Sequence, residues 1–178
     1  SHNVTVSGGD EKARYLASVG YLYQDGIVRD YNKNQYSGRL NVDIHPTRNL
    51  ETSWSLSYMR QDVMEPLPAY QTTGSDRDSF ASTNSVYQIF RLIARISPMV
   101  VNRYADGSYG SVSDGNPIAW IDSDANAMRR TTNLLAMGSA KYYILPELSV
   151  KGTFAYNEHN YSRTDHAIQA KYRSGVQG

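Results

Sequence analysis

Polar and apolar residues alternate along much of the chain with a period of two. From Gln35 to His45 the even positions Tyr36, Gly38, Leu40, Val42 and Ile44 are apolar or small. The odd positions Gln35, Ser37, Arg39, Asn41, Asp43 and His45 are polar. Successive side chains of an extended chain point to opposite sides, so the pattern predicts a strand with two unlike faces. From Ala13 the odd positions Tyr15, Ala17, Val19, Tyr21 and Tyr23 oppose Arg14, Ser18, Gly20 and Gln24, with Leu16 and Leu22 interrupting the polar side. Thr52, Trp54, Leu56 and Tyr58 contrast with Glu51, Ser53, Ser55 and Ser57. Leu134, Ala136, Gly138, Ala140, Tyr142 and Ile144 continue the theme. Leu148, Val150, Gly152, Phe154 and Tyr156 then alternate with Ser149, Lys151, Thr153 and Asn157. Val4 and Val6 begin a further strand. The expected strands cover residues 3–8, 13–24, 35–45, 50–61, 130–144 and 147–162. Most approach the 9–11 residues that cross a bilayer at a tilt.

Alternation does not say what either face touches. A soluble sheet would turn its apolar face to a core, and a membrane barrel would turn it to lipid. The connections separate the two cases. Gly8-Gly9-Asp10, the stretch from His45 to Asn49, and Leu145-Pro146-Glu147 are short turns with breaker residues. Between them lie a longer excursion from Asp25 to Asn34 and a very long one over residues 62–129. Outer-membrane barrels have this asymmetry, with short periplasmic turns and long extracellular loops. With the short turns taken as periplasmic, Tyr21, Tyr23, Tyr36, Tyr58 and Tyr156 fall near outer strand ends, and Tyr15 and Tyr142 near inner ends. All seven sit on the apolar side, as two aromatic girdles would.

Within the long excursion, Val86, Ile89, Phe90, Ile93 and Ile96 recur at helical spacing. Ser82, Thr83 or Asn84 can cap that helix, and Pro98 ends it. Such a helix either shapes a substrate vestibule or packs its stripe on the barrel rim. Further on, the irregular segment containing Trp120 offers a candidate exposed aromatic.

Composition removes several function classes. A net charge of +1 gives no electrostatic reason to expect nucleic acid as a partner. With no cysteine, thiolate zinc sites and cysteine nucleophiles are excluded. No apolar run approaches a transmembrane helix, and the mean hydropathy of −0.56 is compatible with a β-barrel, where only alternate residues face lipid. Asp106, Asp114, Asp122 and Asp124 lack EF-hand spacing, and His159 and His166, seven apart, fall on opposite faces of a strand. Neither metal nor cofactor is implied. Asn3-Val4-Thr5 and Asn160-Tyr161-Ser162 match the glycosylation sequon, a motif common by chance. No nucleophile, base and orienting group can be assembled into a catalytic centre, so no enzyme is expected. Arg14, Arg39, Asp43 and Lys151 occupy the polar face and are the candidates for contact with a solute in a lumen.

The segments Val6-Ser7-Gly8-Gly9-Asp10-Glu11-Lys12, Tyr15-Leu16-Ala17-Ser18-Val19-Gly20-Tyr21, Gln24-Asp25-Gly26-Ile27-Val28 and Tyr36-Ser37-Gly38-Arg39-Leu40-Asn41 follow in order. Together they resemble the SusC/RagA family of TonB-dependent outer-membrane transporters from Bacteroidetes-type bacteria. Asn116-Pro117-Ile118-Ala119 is similar to a segment of that family's long extracellular loop. The resemblance implies an all-β fold, an antiparallel meander forming part of a large transmembrane β-barrel with a short helix in a long extracellular loop. It also implies import of oligosaccharides or peptides across the outer membrane with energy relayed by TonB, under a SusD-like surface lipoprotein. The plug domain and TonB box have no counterpart in residues 1–178, which therefore resemble an internal barrel piece, and no TonB-binding residue is carried over. The alternative reading of the pattern is a soluble β-sheet binding module for glycan or protein.

Overall fold

A computed structural model describes residues 1–67, 85–111, 115–168 and 170–174. Ser82, Thr83, Asn84 and Asp114 lie outside the described residues. Six long strands, β1 (His2–Gly9), β2 (Ala13–Asp25), β3 (Asn32–Thr47), β4 (Leu50–Pro66), β6 (Asn126–Leu145) and β7 (Leu148–His166), form one sheet. Their order is β1-β2-β3-β4-β6-β7, an antiparallel meander. The fold is all-β. Short turns at residues 10–12, 48–49 and 146–147 alternate with excursions at 26–31 and 67–125.

The register follows the polarity pattern. Val4 pairs with Val19 and Val6 with Ala17, while Asn3 pairs with Gly20 and Thr5 with Ser18. Like therefore meets like on each face, as a two-faced sheet requires. The β1–β2 turn is closed by Asp10, whose Oδ1 accepts the Lys12 and Ala13 amides, both at 2.8 Å. Gly9 takes φ 150 there, and a Cβ would lie 2.3 Å from the Ala13 carbonyl oxygen.

The chain divides into two compact units. The first comprises residues 1–24, 33–62 and 129–162 and carries most of the sheet. Its apolar positions are exposed: Val19 at 64%, Trp54 at 58% and Phe154 at 66%, along with Val4, Val6, Leu40, Leu56 and Val150. All seven tyrosines of the apolar side are exposed too.

The second unit comprises residues 25–32, 63–128 and 163–178. Every buried hydrophobic side chain among the described residues belongs to it: Val28, Leu67, Ile89, Leu92, Val100, Ala119, Trp120, Ala125 and Ala127. It contains α1 (Ser85–Arg95), β5 (Tyr109–Ser111), α2 (Pro117–Asp122) and β8 (Tyr172–Ser174), with β5 and β8 pairing in parallel. The helix expected from the 3–4 spacing is α1. Its buried edge is Ile89 and Leu92, with Val86 packed beside them, whereas Phe90 and Ile93 stay about half exposed. The apolar stripe is wider than the strip that the small core covers. Trp120 departs from expectation: read from the sequence as an exposed aromatic, it is 3% exposed and lies in the core with Ile89 and Leu92. Asn116 at the start of α2 turns its segment inward. Its Oδ1 accepts the Ile118 amide at 2.8 Å, and Pro117 occupies the first helical turn, where its missing N–H costs nothing.

Candidate functional site

The polar face of the sheet carries a connected set of hydrogen-bonding side chains. An open depression of about 620 Å³ is lined on β2 by Arg14 and Leu16, on β3 by Asn41 and Asp43, and by Glu11 of the β1–β2 turn. Two sequence-derived candidates, Arg14 and Asp43, thus share one concavity. Arg39 is exposed on the same side of β3, two residues before Asn41, and Lys151 is exposed on β7. Strand period places Lys151 opposite to Phe154 and so on the polar face. Neither Arg39 nor Lys151 lines the depression.

Neighbouring strands extend the same face. Ser55 donates its hydroxyl to Asn41 Oδ1 at 2.8 Å, tying β4 to β3. Lys141 Nζ donates to the Tyr143 hydroxyl at 2.6 Å, and that hydroxyl donates to Glu51 Oε1 at 3.2 Å. The ammonium also sits 4.3 Å from the Tyr143 ring centroid. His159 and Asn133 join β7 to β6 through their side chains. Glu51, Lys141, Tyr143 and Asn133 were missed by sequence reasoning. Parity alone could have found them, since all stand at odd positions like Asp43 and Lys151, but tyrosine counted as apolar hid Tyr143.

This face offers hydrogen-bond donors and acceptors of both charge signs. Among the described residues no group of three or more His, Asp or Glu side chains is placed to hold a metal ion. In the β1–β2 turn the Ala13 and Lys12 amides hold the Asp10 carboxyl below its usual range, so that turn carries a fixed negative charge at neutral pH.

The second unit presents a different surface. Arg173 pairs with Asp106 at 2.7 Å and stands 5.8 Å over the Tyr104 ring. Arg103 stands 5.5 Å over Tyr109, whose centroid is 6.5 Å from that of Tyr172. The Ser108 hydroxyl at 2.6 Å and the Ser108 amide hold Asp106 below the usual carboxylate range, with Arg173 adding to the effect. Burial raises the Tyr172 phenol to about 12, opposed by the adjacent Trp120 indole. Aromatic faces and guanidinium groups are interleaved on this surface. Trp120 supports this surface from beneath instead of forming it.

No family model matches the chain. It is 25% identical over 162 residues, 89% of its length, to a TonB-dependent receptor designated P39 from Formosa agariphila. It is 26% identical over 161 residues, 88% of its length, to TonB-dependent receptor P3 of the same organism. TonB-dependent receptor P26 is 31% identical over 68 residues, 38% of the chain. The chain spans 14% of P39, 15% of P3 and 7% of P26. Along most of its length, this two-faced meander is similar to a short portion of TonB-dependent receptors.

Proposed function

We propose that the chain is a wall segment of a TonB-dependent, SusC/RagA-type transporter in the outer membrane of a Bacteroidetes-type bacterium, working by passage and not by catalysis. One observation carries this reading: the sheet exposes a continuous apolar face edged with tyrosines, while the described buried hydrophobic residues all lie in the other unit. Water would leave such a face unprotected; lipid would cover it. Lipid also tolerates no unpaired sheet edge, so further strands flank β1 and β7. Residues 62–129 then serve as the extracellular loop. Arg14, Arg39, Asp43 and Lys151 then face the passage, through which an oligosaccharide or peptide moves inward. A SusD-like surface lipoprotein and TonB complete the machine, TonB acting through a segment outside these 178 residues.

The chain contains no cysteine, which makes single-cysteine labelling direct. A fluorophore at Leu40 or Val42 is expected to be quenched by brominated acyl chains, and one at Arg39 or Asp43 by a water-soluble quencher. The reverse pattern, or a protein found in the soluble fraction without detergent, would support a soluble binding module instead. Loss of oligosaccharide or peptide uptake in a strain lacking TonB tests the energy source.

A further inference from the structure

Resting on the lipid-facing assignment just proposed, one cluster on that face points further. On β4 the even positions run Trp54, Leu56, Tyr58, Arg60 and Asp62. On β6 the same side runs from Ile144 back through Ala136 and Leu134 to Arg130. Trp54, Ala136 and Gly138 border one shallow apolar hollow, so these two series share a face. Both series turn from apolar to charged at their outer ends, and there the two strands meet. Asp62 accepts from Arg60 Nη2 and from Arg130 Nε, each at 2.8 Å. Arg60 also lies within electrostatic reach of the Tyr58 and Tyr36 phenols of the outer girdle. The carboxylate is the sheltered member of the trio, with 15% of its side chain exposed against 37% for Arg60 and 45% for Arg130. Two cations and one shielded anion give this trio a net positive charge.

We propose that Arg60 and Arg130 form a docking site for the phosphate of an anionic lipid in the outer leaflet. Arg60 lies one strand repeat beyond Tyr58 on β4, at the level of the outer tyrosines, the depth of the headgroups. Asp62 draws the two guanidinium groups together but competes for them, and the N–H edges it leaves over match phosphate oxygens. On β7 the same side carries one acid, Glu158, which accepts from the Tyr156 hydroxyl at 3.0 Å and the Asn160 amide at 2.6 Å. A bound lipid would fasten β4 to β6 across the root of the long excursion.

The test uses the complete outer-membrane protein containing this chain, with phosphatidylglycerol and phosphatidylcholine as probes in native mass spectrometry and vesicle reconstitution. Wild type is expected to retain phosphatidylglycerol preferentially. Each of Arg60→Gln and Arg130→Gln should weaken that preference about fivefold, the effect of one cation near an anionic surface. Asp62→Asn should strengthen it, because the competing carboxylate is gone; a merely structural ion pair would lose stability there without gaining lipid. Arg60→Lys keeps the charge but loses the fork and should fall between. An unchanged preference in the double glutamine variant overturns the inference, as does displacement of phosphatidylglycerol by equimolar inorganic phosphate. Insertion into both vesicle types without preference sinks this inference alone. Failure to insert into either sinks the membrane reading as well.

Discussion

The indole of Trp54 on β4 lies over Gly138 on β6, so close that a Cβ built on the glycine would stand 2.9 Å from the ring atom Cζ3. An exposed aromatic thus covers a strand glycine and shields the sheet backbone at that point. Gly138→Val should push the ring off and destabilise the sheet by about 1–3 kcal/mol, the usual cost of overpacking. Urea unfolding of the detergent-solubilised protein, followed by Trp54 emission, measures this. An unshifted midpoint would show that the ring contact contributes nothing.

Leu40 lies midway along β3 on the exposed apolar face. Leu40→Arg should impair assembly, at about 2–4 kcal/mol near the bilayer midplane. Arg39→Leu, its neighbour on the polar face, should assemble normally. Folding yield into vesicles distinguishes them, and equal yields would reverse or abolish the assignment of faces.

Asn116 is fully buried and satisfies three backbone groups: the Ile118 amide, the Gly110 carbonyl at 2.8 Å and the Asn102 carbonyl at 3.3 Å. Asn116→Ala removes the cap of α2 and the side-chain donor to the carbonyl of buried Gly110. The expected loss is about 1–3 kcal/mol in the second unit. Asn116→Asp keeps the cap oxygen but not the amide donor and should also destabilise. Limited proteolysis of the long excursion reads both variants, and wild-type resistance in Asn116→Ala would refute the assignment.

Tyr172 sets a pH limit on the same unit. Its phenol is raised from 10.0 to about 12, so between those values the folded chain keeps a proton that the unfolded chain releases. The contribution of this phenol to stability is therefore constant below pH 10 and falls as pH rises from about 10 to about 12. Near-ultraviolet titration of wild type against Tyr172→Phe isolates the late-ionising phenol. A difference midpoint near 10 would contradict its burial.

Much of the sheet was legible in the residues. Turn chemistry at Asp10 and Pro146 and strict alternation in β3 and β4 mark the strands, because a period of two has few other physical solutions. The strand ends were less so. β4 runs on to Pro66 and β6 starts at Asn126, through stretches where alternation fades and cross-strand pairing holds the chain extended. On α1, spacing announced the helix but not which edge of its broad stripe would be buried. Trp120 shows the clearest limit. A lone aromatic in an irregular segment carries no periodicity, and only the capping of α2 by Asn116 directs it into the core.

The sequence by itself determined that the strands have two chemically different faces, that short and long connections alternate, and that tyrosines edge the apolar side. These are local properties, set by one residue and its near neighbours. Tertiary structure alone decided that the apolar face stays bare, that the described buried apolar side chains gather in a separate unit, and that Arg60 and Arg130 meet at Asp62 across a separation of 68 residues. Burial and ion pairing depend on which strands become neighbours, and no periodicity along a single strand encodes its neighbour.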